Sequence, residues 1–227
     1  MPVAKQTLSR KADWLIPAGL IALALIPTAA GSIRMAQLLT GVEITPDSAR
    51  FMAAPLPVML HITSSVVYCV LGALQFSPGL RQRRPVWHRI GGRILVPCGF
   101  ISALSALWMT QFYPHGINPP TSFDGAALYA TRLMVASAMA LFLGFGLAAI
   151  LKRNIAGHRA WMMRSYALGL GAGTQVFTHL PWFLFPDVHG VTTRAICMGA
   201  GWAINLAVAE WLIRRGRSLS INRVSID

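Results

Sequence analysis

The chain has 227 residues, 55% of them hydrophobic and only 12% charged, with 20 Lys and Arg against 7 Asp and Glu. A soluble domain carries about 25% charged residues, so that class is excluded. The net charge of +13 does not point to nucleic acid either, because the basic residues fall in short patches between apolar runs, as they do where charge sets membrane topology.

Six apolar runs follow one another: Trp14–Ile33, Pro55–Phe76, Ile94–Tyr113, Gly125–Leu151, Ser165–Phe185 and Ala195–Ile213. Each is near the roughly 20 residues that cross a bilayer as a helix. An open sheet cannot satisfy its backbone in lipid, so the expectation is an all-α bundle of six transmembrane helices forming one domain over residues 1–227. The first run has a basic leader and ends in Thr28-Ala29-Ala30, which resembles a cleavage site. Its apolar stretch exceeds a usual signal-peptide core, and a retained helix is expected. The mildly polar stretch Arg34–Ala54 follows, with Thr45-Pro46-Asp47 reading as a helix start, Thr as N-cap and Pro at the first position. It reads as a surface lid with nothing catalytic in character.

Lys and Arg concentrate before the first run, after the second, after the fourth and after the sixth. Only Arg34, Arg50 and Arg194 fall on the opposite side, and Arg132 lies inside the fourth run. Positive-inside then puts both termini in the cytoplasm.

The second and third runs are joined through Trp87-His88-Arg89-Ile90-Gly91-Gly92-Arg93, and the fourth and fifth through Gly157-His158-Arg159-Ala160-Trp161-Met162-Met163-Arg164. Both read as basic cytoplasmic loops, and with their flanking runs they form a weak internal repeat. Arg89, Arg93, Arg159 and Arg164 suit anionic lipid head groups. A haem between His88 and His158 would sit too near the interface to be shielded. Gly91-Gly92 lacks the spacing of a nucleotide loop. Glu210 is expected to pair with Arg214 four residues later, the alternative being that it reaches Arg89 or Arg159 and ties the sixth run to these loops. Asn205 reads as interhelical glue.

Polar groups within a membrane are costly and need an account. Counted from the outer ends of their runs, His61, Arg132 and His179 all lie about 10 Å deep at about 1.5 Å per residue, and Gln175 is one turn deeper beside His179. Three readings follow. His61, Arg132, Gln175 and His179 line an outer-leaflet pocket for a small ligand, ion or quinone-like group. Alternatively, His61 and His179 are axial ligands of a haem b with Arg132 on a propionate, making an electron-transfer protein; any enzymatic activity would then be that of an oxidoreductase. In the third reading the polar residues only hold a structural or assembly protein together. No metal other than haem iron is expected, and GxSxG, HExxH and Walker patterns are absent. Cys69, Cys98 and Cys197 lie in apolar runs without CxxC spacing and read as packing residues.

Several stretches resemble a bacterial membrane family, domain of unknown function 2306. They are His61 with Gly72-Ala73-Leu74-Gln75-Phe76, His88-Arg89 with Gly92-Arg93, His158 to Leu168, and Gly201-Trp202-Ala203-Ile204-Asn205-Leu206 with Ala209-Glu210. The likeness covers roughly residues 55–215. It implies a multi-pass helical protein of the bacterial inner membrane and supplies no activity. Many members carry Thr-x-Arg in the fifth span, where this chain has Thr174-Gln175-Val176-Phe177-Thr178-His179, so His179 belongs to this chain or its subgroup.

Overall fold

The computed structural model describes residues 12–41, 48–113 and 125–224. The Thr45-Pro46-Asp47 helix start lies outside them. The described residues form helices: α1 (Ala12–Thr40), α2 (Ala49–Ala53), α3 (Pro55–Leu74), α4 (Pro78–Arg83), α5 (Pro85–Phe112), α6 (Ala126–Leu151), α7 (Ile155–Gly169), α8 (Gly171–Thr178), α9 (Leu180–Leu184) and α10 (Val191–Val224), with a 3-10 turn at Pro186–Val188. Five of them, α1, α3, α5, α6 and α10, are long and apolar enough to cross a membrane. Their outward faces expose large apolar side chains such as Leu15, Leu151 and Phe112, as expected where lipid replaces water and the outside need not be polar.

The packing is a closed ring. α1 lies on α3, α3 on α5, α5 on α6, α6 on α7 and α10, α10 on α8, and α8 back on α1. Tyr68, Leu95, Met139, Leu143, Tyr166 and Leu168 form its apolar centre. Two phenols stitch that centre: Tyr68 shares a 3.0 Å hydrogen bond with Ser165, and Tyr166 donates to the Cys69 carbonyl at 2.7 Å. Small residues permit the close approaches. A Cβ on Gly169 would lie 2.8 Å from the Tyr68 ring, and one on Gly99 equally close to Tyr68 and Leu143. Pro27 cannot donate to the Leu23 carbonyl within α1, and Gly173 of α8 packs directly against that carbonyl oxygen.

Two expectations are corrected. The His-Arg segments are not loops: His88, Arg89 and Arg93 lie in the first turns of α5, and His158, Arg159 and Arg164 in α7, while Glu210 lies in α10. Arg and His are tolerable helix formers, so the helices begin well before the apolar runs do. The helix-breaking residues lie earlier. Pro85 opens α5, and Asn154 caps α7 by accepting the Gly157 N–H at 2.8 Å. The second correction concerns the expected helix over Ser165–Phe185, which is interrupted. α7 ends at Gly169, α8 starts after Leu170, and Pro181 restarts the chain as α9. The break is satisfied from outside the helix. Asn205 Nδ2 donates to the Ala167 carbonyl at 3.1 Å and Asn205 Oδ1 accepts from Thr174 at 2.6 Å, while the Cys69 thiol points at the Gly169 carbonyl. The glue role of Asn205 is therefore concentrated at a broken helix. All three cysteines are free thiols.

Candidate functional site

Inside the ring lies a cavity of about 420 Å³. It occupies the parts of α3, α5 and α6 remote from the hairpins, and the α7–α8 break forms one wall. Its walls are largely apolar, with Val66, Val135, Met139, Leu168 and Trp202 among them. Volume and lining suit a small-molecule site, since such sites are about 300–1,000 Å³ with a few placed polar groups. Irregular backbone at membrane depth is tolerated where it is buried or faces a cavity, and Leu168, Gly169 and Leu170 do line this one.

The polar groups arrive one per element. His61 comes from α3 and is oriented by α5: its Nδ1 is 3.0 Å from the Ser102 carbonyl and 3.2 Å from Ser105 Oγ. A carbonyl only accepts, so Nδ1 carries the proton and Nε2 keeps the lone pair. Ser105 donates its own hydrogen to the Ile101 carbonyl at 2.6 Å, which leaves its oxygen able to accept from the imidazole. Ser65, one turn after His61, is bonded to Ser102 at 2.7 Å. Arg132 enters from α6 with Nη2 3.9 Å from Met198 Sδ. Gln175, on α8, donates from Nε2 to the Met198 carbonyl at 3.1 Å, so it both lines the cavity and fastens α8 to α10.

Of the four residues expected to share a pocket, His61, Arg132 and Gln175 line this cavity. His179 is not in its lining. It is the C-cap of α8, and its Nδ1 turns back to the Gln175 carbonyl at 2.9 Å. A bis-imidazole haem b needs both rings on one iron. Here one ring faces the cavity and the other is outside the lining, so the residues present do not fit that pair, and no group of three or more His, Cys, Asp or Glu suited to a metal occurs among the described residues.

Other lining residues escaped sequence reasoning. Arg50 and Phe51 belong to α2, in the stretch read as a lid without chemistry, and both face the cavity. Two guanidinium groups lie over the Phe51 ring, Arg34 at 5.1 Å and Arg50 at 4.8 Å from its centre, and the ring meets Tyr113 edge-on at 5.4 Å. Tyr113 closes the corner by donating to the Ala54 carbonyl at 2.7 Å. Ser102, Thr110 and Tyr113 complete the polar wall of α5. Ser102 and Ser105, three apart in an apolar run, were the signal available for that wall.

At the other end of the bundle Arg164 and Glu210 form a bidentate ion pair between α7 and α10, with Arg164 Nη2 3.0 Å from Glu210 Oε2. The Arg164 guanidinium also covers the Trp161 ring at 4.6 Å. Glu210 thus joins the last helix to the second His-Arg segment through Arg164.

No curated protein and no solved structure matches the chain. The family described as "Predicted membrane protein (DUF2306)" matches residues 58–213, well over half of the chain, and the chain belongs to that family.

Proposed function

We propose that this membrane protein binds a small amphipathic molecule in the ring cavity, with a quinone-like, oxygen-bearing head among Arg50, His61, Arg132 and Gln175. One observation carries the reading: two guanidinium groups, an imidazole with a lone pair at Nε2 and an amide line a single, otherwise apolar cavity beside a helix break. Guanidinium N–H groups donate to ligand oxygens with charge assistance. His61 Nε2 accepts from a hydroxyl, and the apolar wall holds a ring or chain. Broken helices beside a central site are a recurrent transporter device, which makes the α7–α8 wall a natural place for a ligand carbonyl or hydroxyl to meet backbone.

The proposed setting is the bacterial inner membrane, with six crossings and both termini cytoplasmic. The interrupted α7–α8–α9 segment serves as the fifth crossing, and the cavity opens in the outer half. The one-sided distribution of Lys and Arg supports this orientation.

Decylubiquinone titrated into the purified protein in detergent tests the binding. Trp202 lines the cavity, so saturable quenching of tryptophan fluorescence is expected, lost in Trp202→Phe. Arg132→Gln should weaken binding about tenfold or more, the worth of a charge-assisted hydrogen bond. Quenching that is non-saturable, or equal in wild type, Arg132→Gln and His61→Phe, means the quinone partitions into the micelle and overturns the reading.

A further inference from the structure

The hairpin end of the bundle holds a second polar group of residues, far along α3 and α5 from the cavity. Arg81 comes from α4, His88 from α5, His158 and Arg159 from α7, and Gln75 caps α3. They lie close together. Arg81 is within electrostatic reach of Arg159, and His88 of both Arg81 and His158. Gln75 lies against Gly91, one turn beyond His88 on α5.

Two features make this more than a basic surface. Gln75 Oε1 and His88 Nδ1 are both buried with no hydrogen-bond partner, a costly state for polar atoms. Also, the described residues give neither Arg81 nor Arg159 a carboxylate partner. The cost of holding like charges together registers on Arg81, whose guanidinium is shifted down by its burial and then by the Arg159 charge. His158 is satisfied separately, its Nδ1 lying 2.9 Å from the Gly146 carbonyl. The cluster therefore has two cationic forks, one buried imidazole nitrogen without a partner, which can carry the ring's proton, and one amide oxygen with nothing to accept from. An anion alone would answer the first three. The amide oxygen requires a donor on the same ligand.

We propose that the cluster binds a phosphate ester bearing a free hydroxyl, its phosphate oxygens held by Arg81, Arg159 and His88 Nδ1–H and its hydroxyl donating to Gln75 Oε1. The same chemistry is presented by a glycerol-type phospholipid head group and by a soluble glycerol phosphate. This site does not depend on the occupant of the outer cavity.

The test uses the full chain in detergent, titrated separately with dihexanoyl phosphatidylglycerol, dihexanoyl phosphatidylcholine and glycerol 3-phosphate, with binding read by calorimetry. Phosphatidylglycerol should bind saturably and phosphatidylcholine should not. Arg81→Gln with Arg159→Gln should weaken binding about thirtyfold, at the surface value for two arginines. Lys152→Gln, an exposed charge outside the cluster, should leave it unchanged. If the double variant does not fold, Arg159→Gln alone, at an exposed position, should weaken binding about fivefold. Competition by glycerol 3-phosphate assigns the site to a soluble ester, and its absence assigns it to the lipid. The proposal is overturned if neither ester binds, if phosphatidylcholine binds as well as phosphatidylglycerol, or if Lys152→Gln is as damaging as the cluster variants.

Discussion

In both hairpins a histidine occupies the fourth position of a helix that follows a basic turn, His88 in α5 and His158 in α7, and each donates its backbone N–H to the residue capping its helix, Arg84 and Asn154. The imidazoles then diverge. His158 Nδ1 is tied to the Gly146 carbonyl of the preceding helix, while His88 Nδ1 is buried without a partner. The turns diverge as well. The second passes from α6 to α7 through three residues with Arg153 at φ 58°, and Arg164 pairs with Glu210 farther along α7. The first inserts α4, capped by Ser77 accepting from the Leu80 N–H at 3.2 Å, and leaves Gln75 and His88 unsatisfied. One repeat unit has been spent on fastening the bundle, and its twin retains the groups that recognise a ligand.

The largest expected effect separates these two roles. Removing the carboxylate with Glu210→Ala leaves the Arg164 guanidinium partly buried and unanswered. It should cost about 3 kcal/mol, the lower end for breaking a buried pair, read by SDS titration in mixed micelles. Replacing both partners by Met should recover most of that loss. If Glu210→Ala is neutral, the second hairpin is not the fastening one. Next in size is Gly169→Ala, whose new methyl would press the Tyr68 ring at 2.8 Å, at a cost of about 2 kcal/mol by overpacking. Gly92→Ala, with nothing within 4 Å, should be neutral or gain up to about 1 kcal/mol from helix propensity. Equal effects of the two substitutions would mean that the α7 break is not held by close packing.

The histidines themselves come next. His158→Leu removes a satisfied bond and leaves the Gly146 carbonyl without it, costing about 1 kcal/mol. His88→Leu removes a buried nitrogen that had no partner and should be neutral or slightly stabilising in lipid-free detergent, while lowering phosphatidylglycerol binding. Equal losses of stability would show that His88 has a partner after all and would remove the contrast between the hairpins.

Much of this organisation was legible before the fold, for reasons that can be named. Apolar runs near bilayer length mark crossings because lipid imposes a length, and five of the six runs became long helices. His61, Arg132 and Gln175 stood out because polar groups inside such runs must be accounted for, and they do line one cavity. The helical state of the His-Arg segments was hidden because hydropathy locates the bilayer and not the helix end, and Arg and His do not stop a helix. The break at Leu170 was hidden because Gly169, Gly171 and Gly173 owe their places to Tyr68, Trp202 and the Leu23 carbonyl, which are contacts between distant segments. His179 was misgrouped for the same reason: counting depth along one straight helix fails where α8 ends and its cap turns the ring back on itself. Arg50 was passed over because a short helix in a polar connection carries no periodic signal.

The smallest predicted effect bears on how the two turns were built. Arg153 holds a positive φ of 58° in the tight turn between α6 and α7, a conformation that costs a non-glycine residue about 1–2 kcal/mol. Glycine adopts it freely but loses about 0.5–1 kcal/mol more on ordering. Arg153→Gly should therefore stabilise the protein by about 0.5 kcal/mol. The corresponding residue of the first hairpin, Arg83, is the last residue of α4 and has no positive φ, so Arg83→Gly gains no such relief and should be destabilising by a similar amount. Opposite signs in the same SDS titration would show that the second hairpin carries backbone strain in its short turn and the first avoids it by inserting α4. That insertion also brings Arg81 to His88, so the longer turn supplies the cationic side chain that the proposed phosphate site requires.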